Sequence, residues 1–332
     1  MTGKTANIAI FVPHMGCPHR CSFCDQQTIS GETCPVTPEA VTETLTRAVA
    51  GLAAGTRAEI AFFGGSFTAI PTGQMEALLQ AAYPFLGGSV TGIRCSTRPD
   101  AIDEQRLTLL KRYGVTTVEL GAQSMEDSVL AANLRGHTAR QVRQAAGAIK
   151  QAGLRLGLQM MTGLYTATPE SDRQTARALA ELEPQEVRIY PTAVLPGTAL
   201  ARWYRQGLYT PPSLEETVAL CADLLDFFEA RGIRVIKLGL HAGMEPAPLA
   251  GPFHPAFREL CESHRYYIKF LPLFGHKSRA TVAVHPTCLS RAVGHKKENL
   301  ARLQRLGFTL QVTADDAVPP GQIVEKETPS CS

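Results

Sequence analysis

Short β-rich runs alternate with amphipathic helical stretches from Ile8 to about residue 240. This alternation is typical of a parallel sheet whose strands are joined by crossover helices. The predicted strands are IAIFV (8–12), AEIAFF (58–63), VTGIRC (90–95), TTVEL (116–120), LRLGLQMM (154–161) and EVRIY (186–190), with IRVIKLGL (233–240) as a seventh candidate. Six strand–helix units predict an α/β fold built on a partial, TIM-like (β/α)6 barrel.

Polar and glycine-rich segments follow the predicted strands. In chain order they are GCPHRCSFCDQ, GGSFTAI, STRPD, GAQS, TGLY and PTAVLPGT. In a parallel α/β barrel, such segments lie at the C-terminal ends of the strands, where active sites are built. We therefore expect six loops to meet at one site.

The chain divides into a large and a small predicted unit. The barrel is expected to occupy residues 1–242, after which a Pro/Gly-rich stretch interrupts the alternation, so that residues 243–263 are interpreted as a linker or lid. Residues 264–324 contain two strand-like runs around a helix-like run, which predicts a small C-terminal α+β domain. Residues 325–332 form a tail.

The positive charge of the chain is concentrated in the predicted C-terminal domain. Residues 264–312 contain nine Lys and Arg against one acidic residue, whereas residues 1–263 contain 23 against 25, and the net charge of the whole chain is +3. A local basic region favours an anionic partner more than a diffuse excess would.

The sequence gives no sign of membrane contact. No apolar stretch approaches the ~18 residues that span a bilayer. A strand-like run begins within a few residues of the N-terminus, which leaves no room for a signal peptide. We expect a cytoplasmic protein with reduced thiols, since most of its nine cysteines are scattered singly.

Three cysteines, Cys17, Cys21 and Cys24, form the pattern C-x-x-x-C-x-x-C. One loop of this length can wrap a [4Fe-4S] cluster, with each thiolate on one iron and the fourth iron without a protein ligand. Structural zinc is the alternative and needs four N or S ligands. His14, His19 or Cys34 could supply the fourth zinc ligand, and Cys34 could also be a fourth cluster ligand.

This spacing, with Phe23 directly before the last cysteine, resembles the radical S-adenosylmethionine (SAM) enzymes. Longer stretches resemble the Elongator catalytic subunit family and its bacterial relatives: IFVPHMGCPHRCSFCDQ, FFGGSFTAIP, CSTRPDAID, VELGAQSMEDSVLAANLRGHT, GLQMMTGLY and RIYPTAVLPGTAL. The resemblance implies a [4Fe-4S] cluster whose open iron is chelated by SAM. It also implies that an electron from the reduced cluster cleaves SAM to methionine and a 5'-deoxyadenosyl radical.

The resemblance further implies a set of SAM contacts. Gly64, Gly65 and Ser66 match the glycine motif that meets the SAM amino group. Phe23 would pack beside the adenine, as would residues 160–163. The remaining implied contacts are Ser96 near the ribose, Gln123, Arg135 at the SAM carboxylate, and Gln159.

Two departures limit what the resemblance implies. Coproporphyrinogen oxidases, which are more distantly similar, carry acidic residues where this chain has Ser96 and Gln159. Elongator catalytic subunits also carry an acetyltransferase domain, which we expect to be absent from these 332 residues. The resemblance therefore implies the fold and the cofactors of this chain more strongly than it implies the substrate.

The segment AVGHKKENLARLQRLGFTLQV (292–312) resembles the core of a KH domain, in which a G-x-x-G loop clamps a nucleic-acid backbone. Here the loop reads Gly294-His295-Lys296-Lys297, without the second glycine. Lys296 and Lys297 at a helix N-terminus could bind phosphates. The alternative is a solvated helix face in a small cap domain.

Three function hypotheses follow. The first is a radical SAM enzyme that modifies RNA, tRNA in particular. The second acts on a small molecule or protein side chain beneath a lid that carries His241 and His254. The third is a non-catalytic, cluster-bearing module. An electron donor such as flavodoxin or ferredoxin is implied for the enzymes, and Tyr190, Cys288 and Cys34 are candidates for a second radical relay.

Overall fold

A computed structural model describes residues 5–12, 17, 21–24, 36–241 and 247–326. Its strands are β1 (Thr5–Phe11), β2 (Arg57–Phe63), β3 (Val90–Thr97), β4 (Val115–Gln123), β5 (Arg155–Thr162), β6 (Glu186–Pro191), β7 (Arg234–Leu238), β8 (Arg279–Val284), β9 (Thr309–Ala314) and β10 (Val324–Lys326). Its α-helices are α1 (Pro38–Ala50), α2 (Thr72–Ala82), α3 (Glu104–Arg112), α4 (Asp127–Ala132), α5 (Ala139–Gln151), α6 (Pro169–Ala180), α7 (Ala199–Arg205), α8 (Leu214–Glu229), α9 (Phe257–Phe270), α10 (Leu289–Val293) and α11 (Glu298–Arg305).

Strands β1 to β7 form one parallel sheet in sequential order, so β1 and β7 are its edges. Sequential order with a helix after each of the first six strands produces a half-barrel, as right-handed crossovers require. The predicted partial barrel is therefore confirmed, and the candidate seventh strand is a strand. The C-terminal ends of these strands open at one edge, which we call the mouth.

The helices of the barrel begin where the sequence places caps. Thr37 accepts a hydrogen bond from the Ala40 N–H at the start of α1, and Pro38 follows at the first helical position. Apolar faces of α1, α2, α3, α5, α6 and α8 cover the outer face of the sheet and form the main core, with buried side chains such as Phe62, Leu79 and Phe228. The chemistry is therefore left to the inner face and the mouth.

The inner face of the barrel contains a buried ion network. Arg94 on β3 donates from Nε to Glu119 on β4 at 2.7 Å and also contacts Glu59 and Glu186. Arg188 on β6 donates to the same Glu119 carboxylate from Nε at 2.5 Å and from Nη2 at 3.1 Å. Charges buried this deeply are tolerated because each is paired.

The C-terminal unit has its own sheet and core. Its strand order is β10-β8-β9, with β9 parallel to β8, and α10 and α11 connect β8 to β9. Helix α9 begins inside the predicted linker and contributes to both cores, through Phe257 and Cys261 in the first and Phe270 in the second. The two units therefore share one helix.

None of the described helices combines the length and the apolar character that crossing a membrane requires.

Candidate functional site

The described part of the cysteine loop is held at the mouth by polar contacts. The buried Ser22 hydroxyl donates to Asn133 Oδ1 at 2.7 Å, and its N–H donates to the Asn133 carbonyl at 3.0 Å. The Ser22 carbonyl accepts from the Leu200 N–H at 2.7 Å. Asn133 ends α4 and Leu200 lies in α7, so two separate elements fix the segment that carries Cys21 and Cys24.

Arg135 joins the cysteine loop to the sheet. Its Nη1 donates to Cys21 Sγ at 3.0 Å and its Nη2 donates to the Gly121 carbonyl at 2.8 Å. The side chain is buried, and its Nε has no hydrogen-bond partner among the described residues. A buried guanidinium with an unused donor beside a thiol is prepared for a further anionic group.

A second buried arginine, Arg98, lies close enough to Cys17 and Cys21 to interact with their charges. Its Nε and Nη2 bind Asp100 in a fork at 2.9 and 2.8 Å. Burial opposes its charge, but the hydrogen bond and charge of Asp100 prevail and raise the pKa of Arg98. Burial lowers the pKa of nearby His137 to about 4, and the Arg135 charge adds to this, so the cations beside the thiols are arginines.

The glycine motif follows β2 in a turn that requires glycine. Gly64 and Gly65 have φ of +81° and +38°, values that residues with a Cβ rarely adopt. The fully buried Ser66 hydroxyl bonds Thr97 Oγ1 at 2.8 Å and accepts from the Arg98 N–H at 3.1 Å. The Ser66 side chain therefore connects β2 to β3, and backbone atoms of the turn remain for a ligand.

The polar residues from β3 to β5 lie on the inner face. Gln159 Nε2 donates to Gln123 Oε1 at 3.2 Å, and Gln123 adopts a φ of +65° at the end of β4. A Cβ on Gly121 would lie 2.9 Å from Gln123 Nε2, so glycine leaves the space that Gln123 and Arg135 occupy. Ser96 is half-buried and pairs in register with Glu119.

Phe23 is partly buried in two small apolar clusters. One includes Met161, Leu164 and Tyr190, and the other includes Trp203. The expected adenine side of the site therefore lies next to Phe23.

Asp172 holds the turn after β5. Its carboxylate accepts from the Gly163 N–H at 2.9 Å, and Tyr209 donates to the Gly163 carbonyl at 2.6 Å. Burial raises the pKa of Asp172 to about 7. The sequence carries no distinctive signal for this site, since an acidic residue in the first turn of a helix is ordinary.

The remaining predicted residues are dispersed. Lys296 and Lys297 are exposed between α10 and α11, and both have positive φ, at +50° and +64°. Of the relay candidates, Tyr190 lies on the inner face of β6, and Cys288 is buried in the C-terminal core. His14, His19, Cys34, residues 243–246 and residues 327–332 lie outside the described residues.

The donor set fits an iron–sulfur cluster with SAM better than zinc. It offers three thiols within eight positions of the chain, an arginine whose Nε has no partner among the described residues, and a glycine turn with positive φ. Within the described ranges, no three His, Cys, Asp or Glu side chains are gathered around one point as metal ligands. The fit therefore rests on the chemistry around the thiols, and the cluster itself is a proposal.

Comparison with curated proteins finds relatives of two names. A tRNA uridine(34) acetyltransferase from Dehalococcoides mccartyi is 27% identical over 248 residues, which are 67% of this chain and 54% of the relative. Human Elongator complex protein 3 is 27% identical over 190 residues, 51% of this chain and 35% of the relative. The chain spans less than two thirds of the length of either relative.

A solved structure shares the fold. Elp3 from the archaeon Methanocaldococcus infernus, solved with an N-terminal deletion, superposes with a TM-score of 0.63 at 19% identity, covering 81% of this chain and 64% of that one. At this identity the likeness establishes the fold alone.

Two family models match consecutive parts of the chain. The model of the Radical SAM C-terminal domain matches residues 184–267. The model of the Radical SAM superfamily matches residues 11–179, from the end of β1 through α6. Those residues include the cysteine loop, the glycine turn and Arg135, and the chain belongs to the radical SAM superfamily.

Proposed function

We propose that Cys17, Cys21 and Cys24 hold a [4Fe-4S] cluster in this radical SAM enzyme, and that SAM binds beside it at the mouth. The observation that carries the proposal is Arg135, which bridges the Cys21 thiol and the Gly121 carbonyl and keeps Nε without a partner among the described residues. Its fork suits the SAM carboxylate, since arginine binds carboxylates through two parallel N–H bonds.

A cluster held by these three cysteines would supply one electron for the cleavage of SAM to methionine and a 5'-deoxyadenosyl radical, once reduced by a low-potential donor such as flavodoxin or ferredoxin, and that radical would take a hydrogen atom from the substrate. The residues of the chain position and shield this chemistry. Ser22 and Asn133 hold the loop, the turn at Gly64 offers backbone groups, and Phe23 covers the mouth with apolar surface.

Anaerobic reconstitution tests the proposal. We expect about four irons and four sulfides per chain, with SAM cleaved after dithionite reduction. Cys21→Ala should lose both, whereas Cys95→Ala, which changes a cysteine buried in the main core away from the loop, should retain both. If the wild-type chain takes up no cluster, the proposal is wrong.

We further propose RNA, with tRNA as the first candidate, as the substrate. Support comes from the similarity to a tRNA uridine(34) acetyltransferase and from the basic C-terminal region. Lys296 and Lys297 are exposed in a turn that follows Gly294, whose φ is +89°. A Cβ there would lie 2.9 Å from the Asn299 N–H nitrogen, so glycine allows the turn to approach α11.

Salt-dependent binding tests the RNA proposal. Affinity for tRNA should fall steeply as salt rises, and Lys296→Ala/Lys297→Ala should weaken binding and reduce the salt slope by about 1.5, since each phosphate contact contributes ~0.7 to 0.9. Lys111→Ala/Lys150→Ala on the barrel surface is the matched control and should leave the slope unchanged. No detectable tRNA binding at low salt would remove RNA from consideration.

A small molecule or protein side chain is the second candidate. The segment after β7 contacts the loop after β6, where Leu249 N–H donates to the Val194 carbonyl at 2.8 Å and Val194 N–H donates to Ala250 at 2.9 Å. Such a segment can cover a closed pocket. Profiling tRNA nucleosides and metabolites in a deletion strain separates the candidates, because only one class should change.

A further inference from the structure

A row of side chains crosses the inner face of the barrel from the cysteine side to the β7 edge. Gly121, Gln159, Arg188 and Lys237 are paired in register on β4, β5, β6 and β7. Residues paired in parallel strands project on the same face of the sheet. The row begins at the carbonyl that Arg135 binds and ends with two cations side by side.

Lys237 enters this row through an irregularity in β7. The pairing advances by one residue on β6 and by two on β7, from Val187–Val235 to Arg188–Lys237. Without the extra residue, Ile236 would oppose Arg188. Irregularities of this kind redirect side chains next to functional sites.

Arg188 is held in a fixed orientation. Its Nε and Nη2 bind Glu119, its guanidinium lies 5.0 Å from the centre of the Phe63 ring, and it shares a hydrogen bond with Tyr190. Glu119 also accepts from Arg94, so one carboxylate serves two arginines. This carboxylate therefore leaves little negative charge for a third cation.

Lys237 adds a positive charge beside Arg188, and His241 lies close enough to interact with both charges. Burial, followed by the charge of Arg188, lowers the pKa of Lys237. Burial also lowers the pKa of His241, followed by the charges of Lys237 and Arg188. Among the described residues, no carboxylate forms a salt bridge with Lys237.

A cavity at the β7 edge leaves space for a ligand beside Lys237. Its volume is about 590 Å³, and its other charged lining residues are Arg258, Arg291, Glu259 and Glu262. Glu262 forms salt bridges with Arg258 at 2.9 Å and with Arg291 at 3.1 Å. On the other side, Tyr190 packs in the cluster that contains Met161 and Phe23, next to Cys24. A group bound at Arg188 and Lys237 is therefore one layer of side chains from the cysteine loop.

We propose that Arg188, Lys237 and Tyr190 bind an oxyanion of the substrate, a phosphate or a carboxylate, and so direct the neighbouring carbon toward the cysteine side. The assignment rests on the proposed radical SAM function and adds the chemical class of the group recognised. The edge of the Arg188 guanidinium that Glu119 does not bind, the Lys237 ammonium and the Tyr190 hydroxyl together form a donor set for such oxygens. An oxyanion here would pair with the Lys237 ammonium, which forms no salt bridge with a described carboxylate.

Residue-specific acetylation of the reconstituted enzyme tests the site. Lys237 is acetylated with N-hydroxysuccinimidyl acetate and followed by mass spectrometry, in inorganic phosphate, in acetate, or in chloride of equal ionic strength. At a probe concentration of about twice its Kd, acetylation should slow about threefold. Lys111, exposed on α3, is the internal control and should react equally in all three salts.

The salt that protects Lys237 from acetylation identifies the group that the site binds. Protection by phosphate identifies a phosphate-bearing substrate, and protection by acetate identifies a carboxylate. Arg188→Lys should reduce the protection, whereas Arg143→Lys on the outer surface should not. If neither probe protects Lys237 more than chloride does, or Lys111 is protected equally, the assignment is wrong.

SAM cleavage measured on the same preparation separates this inference from the proposed function. Cleavage without protection overturns only the oxyanion site. Protection in an enzyme that neither holds a cluster nor cleaves SAM overturns the proposed function, and the assignment of the oxyanion to a radical substrate falls with it.

Discussion

The two sides of the barrel interior differ in how they hold their cations. On the cysteine side, Arg135 is bound by a thiol and a carbonyl and retains an unused donor among the described residues. On the β6–β7 side, Arg188 is fixed by the carboxylate of Glu119. Lys237 beside it forms no salt bridge with any described carboxylate. The first arrangement suits a cofactor that always binds in one orientation. The second suits a substrate group that arrives and leaves with each turnover.

Glu119 links the two sides, so its substitution should have the largest effect. Glu119→Gln leaves Arg94 and Arg188 without their shared negative charge, and removing one partner of a buried ion pair typically costs about 3–5 kcal/mol of unfolding free energy. Urea unfolding measures the loss.

The control for Glu119 is an exposed pair. Glu43 and Arg47 lie four residues apart on α1 at 2.7 Å. Glu43→Gln should cost below about 0.5 kcal/mol. If Glu119→Gln and Glu43→Gln lose the same unfolding free energy, the buried network does not join the two sides.

Asp172 lies in the first turn of α6 and binds the turn that follows β5, and its titration predicts a pH dependence of stability. Its pKa is raised by burial from an ordinary 3.8 to about 7, so the folded state retains a proton that the unfolded state has released. The stability of the wild type should therefore fall as pH rises from about 4 to 7, on the order of 3 kcal/mol.

Asp172→Asn removes this titration and keeps an oxygen for the Gly163 N–H. The variant should become more stable than the wild type as pH rises through 7, which thermal unfolding at several pH values measures. Parallel curves for the two proteins would contradict the assignment.

Arg135→Lys tests whether Arg135 on the cysteine side binds SAM. Lysine keeps the positive charge. A single ammonium group cannot donate to the Cys21 thiol and the Gly121 carbonyl and also bind the SAM carboxylate through two parallel N–H bonds. Losing a charged hydrogen bond costs about 1.5–3 kcal/mol, so the Kd for SAM should rise about 10- to 100-fold.

Arg143→Lys on α5 is the matched control, since Arg143 pairs only loosely with Glu181 at 3.6 Å on the surface. Equilibrium dialysis of both reconstituted variants measures the SAM affinity. Unchanged affinity in Arg135→Lys would place the SAM carboxylate elsewhere.

The cysteine side could be predicted from the sequence, because its signals are contiguous. The three cysteines fall within eight positions and the glycine turn directly follows a strand, so periodicity and short motifs locate both. Ser66 shows the limit of such motifs: the sequence places it at the turn, but only the structure shows its hydroxyl bound to Thr97.

The β6–β7 side could not be predicted in the same way. Glu119, Arg188 and Lys237 are isolated charges between apolar neighbours in TTVEL, EVRIY and RVIKL, which otherwise have the apolar composition of buried strands. A charge inside such a run is a signal of a polar barrel interior. Which charges meet depends on register and on the irregularity in β7, and neither can be read from one strand alone.

We propose that the cluster held by the three-cysteine loop has one iron without a protein ligand, and that SAM binds this iron beside Arg135. Electron paramagnetic resonance of the reconstituted, dithionite-reduced enzyme tests it most directly, with and without SAM. We predict a [4Fe-4S] signal whose g-values shift when SAM is added, with a much weaker shift in Arg135→Lys at the same SAM concentration. A cluster signal that SAM leaves unchanged would contradict the account.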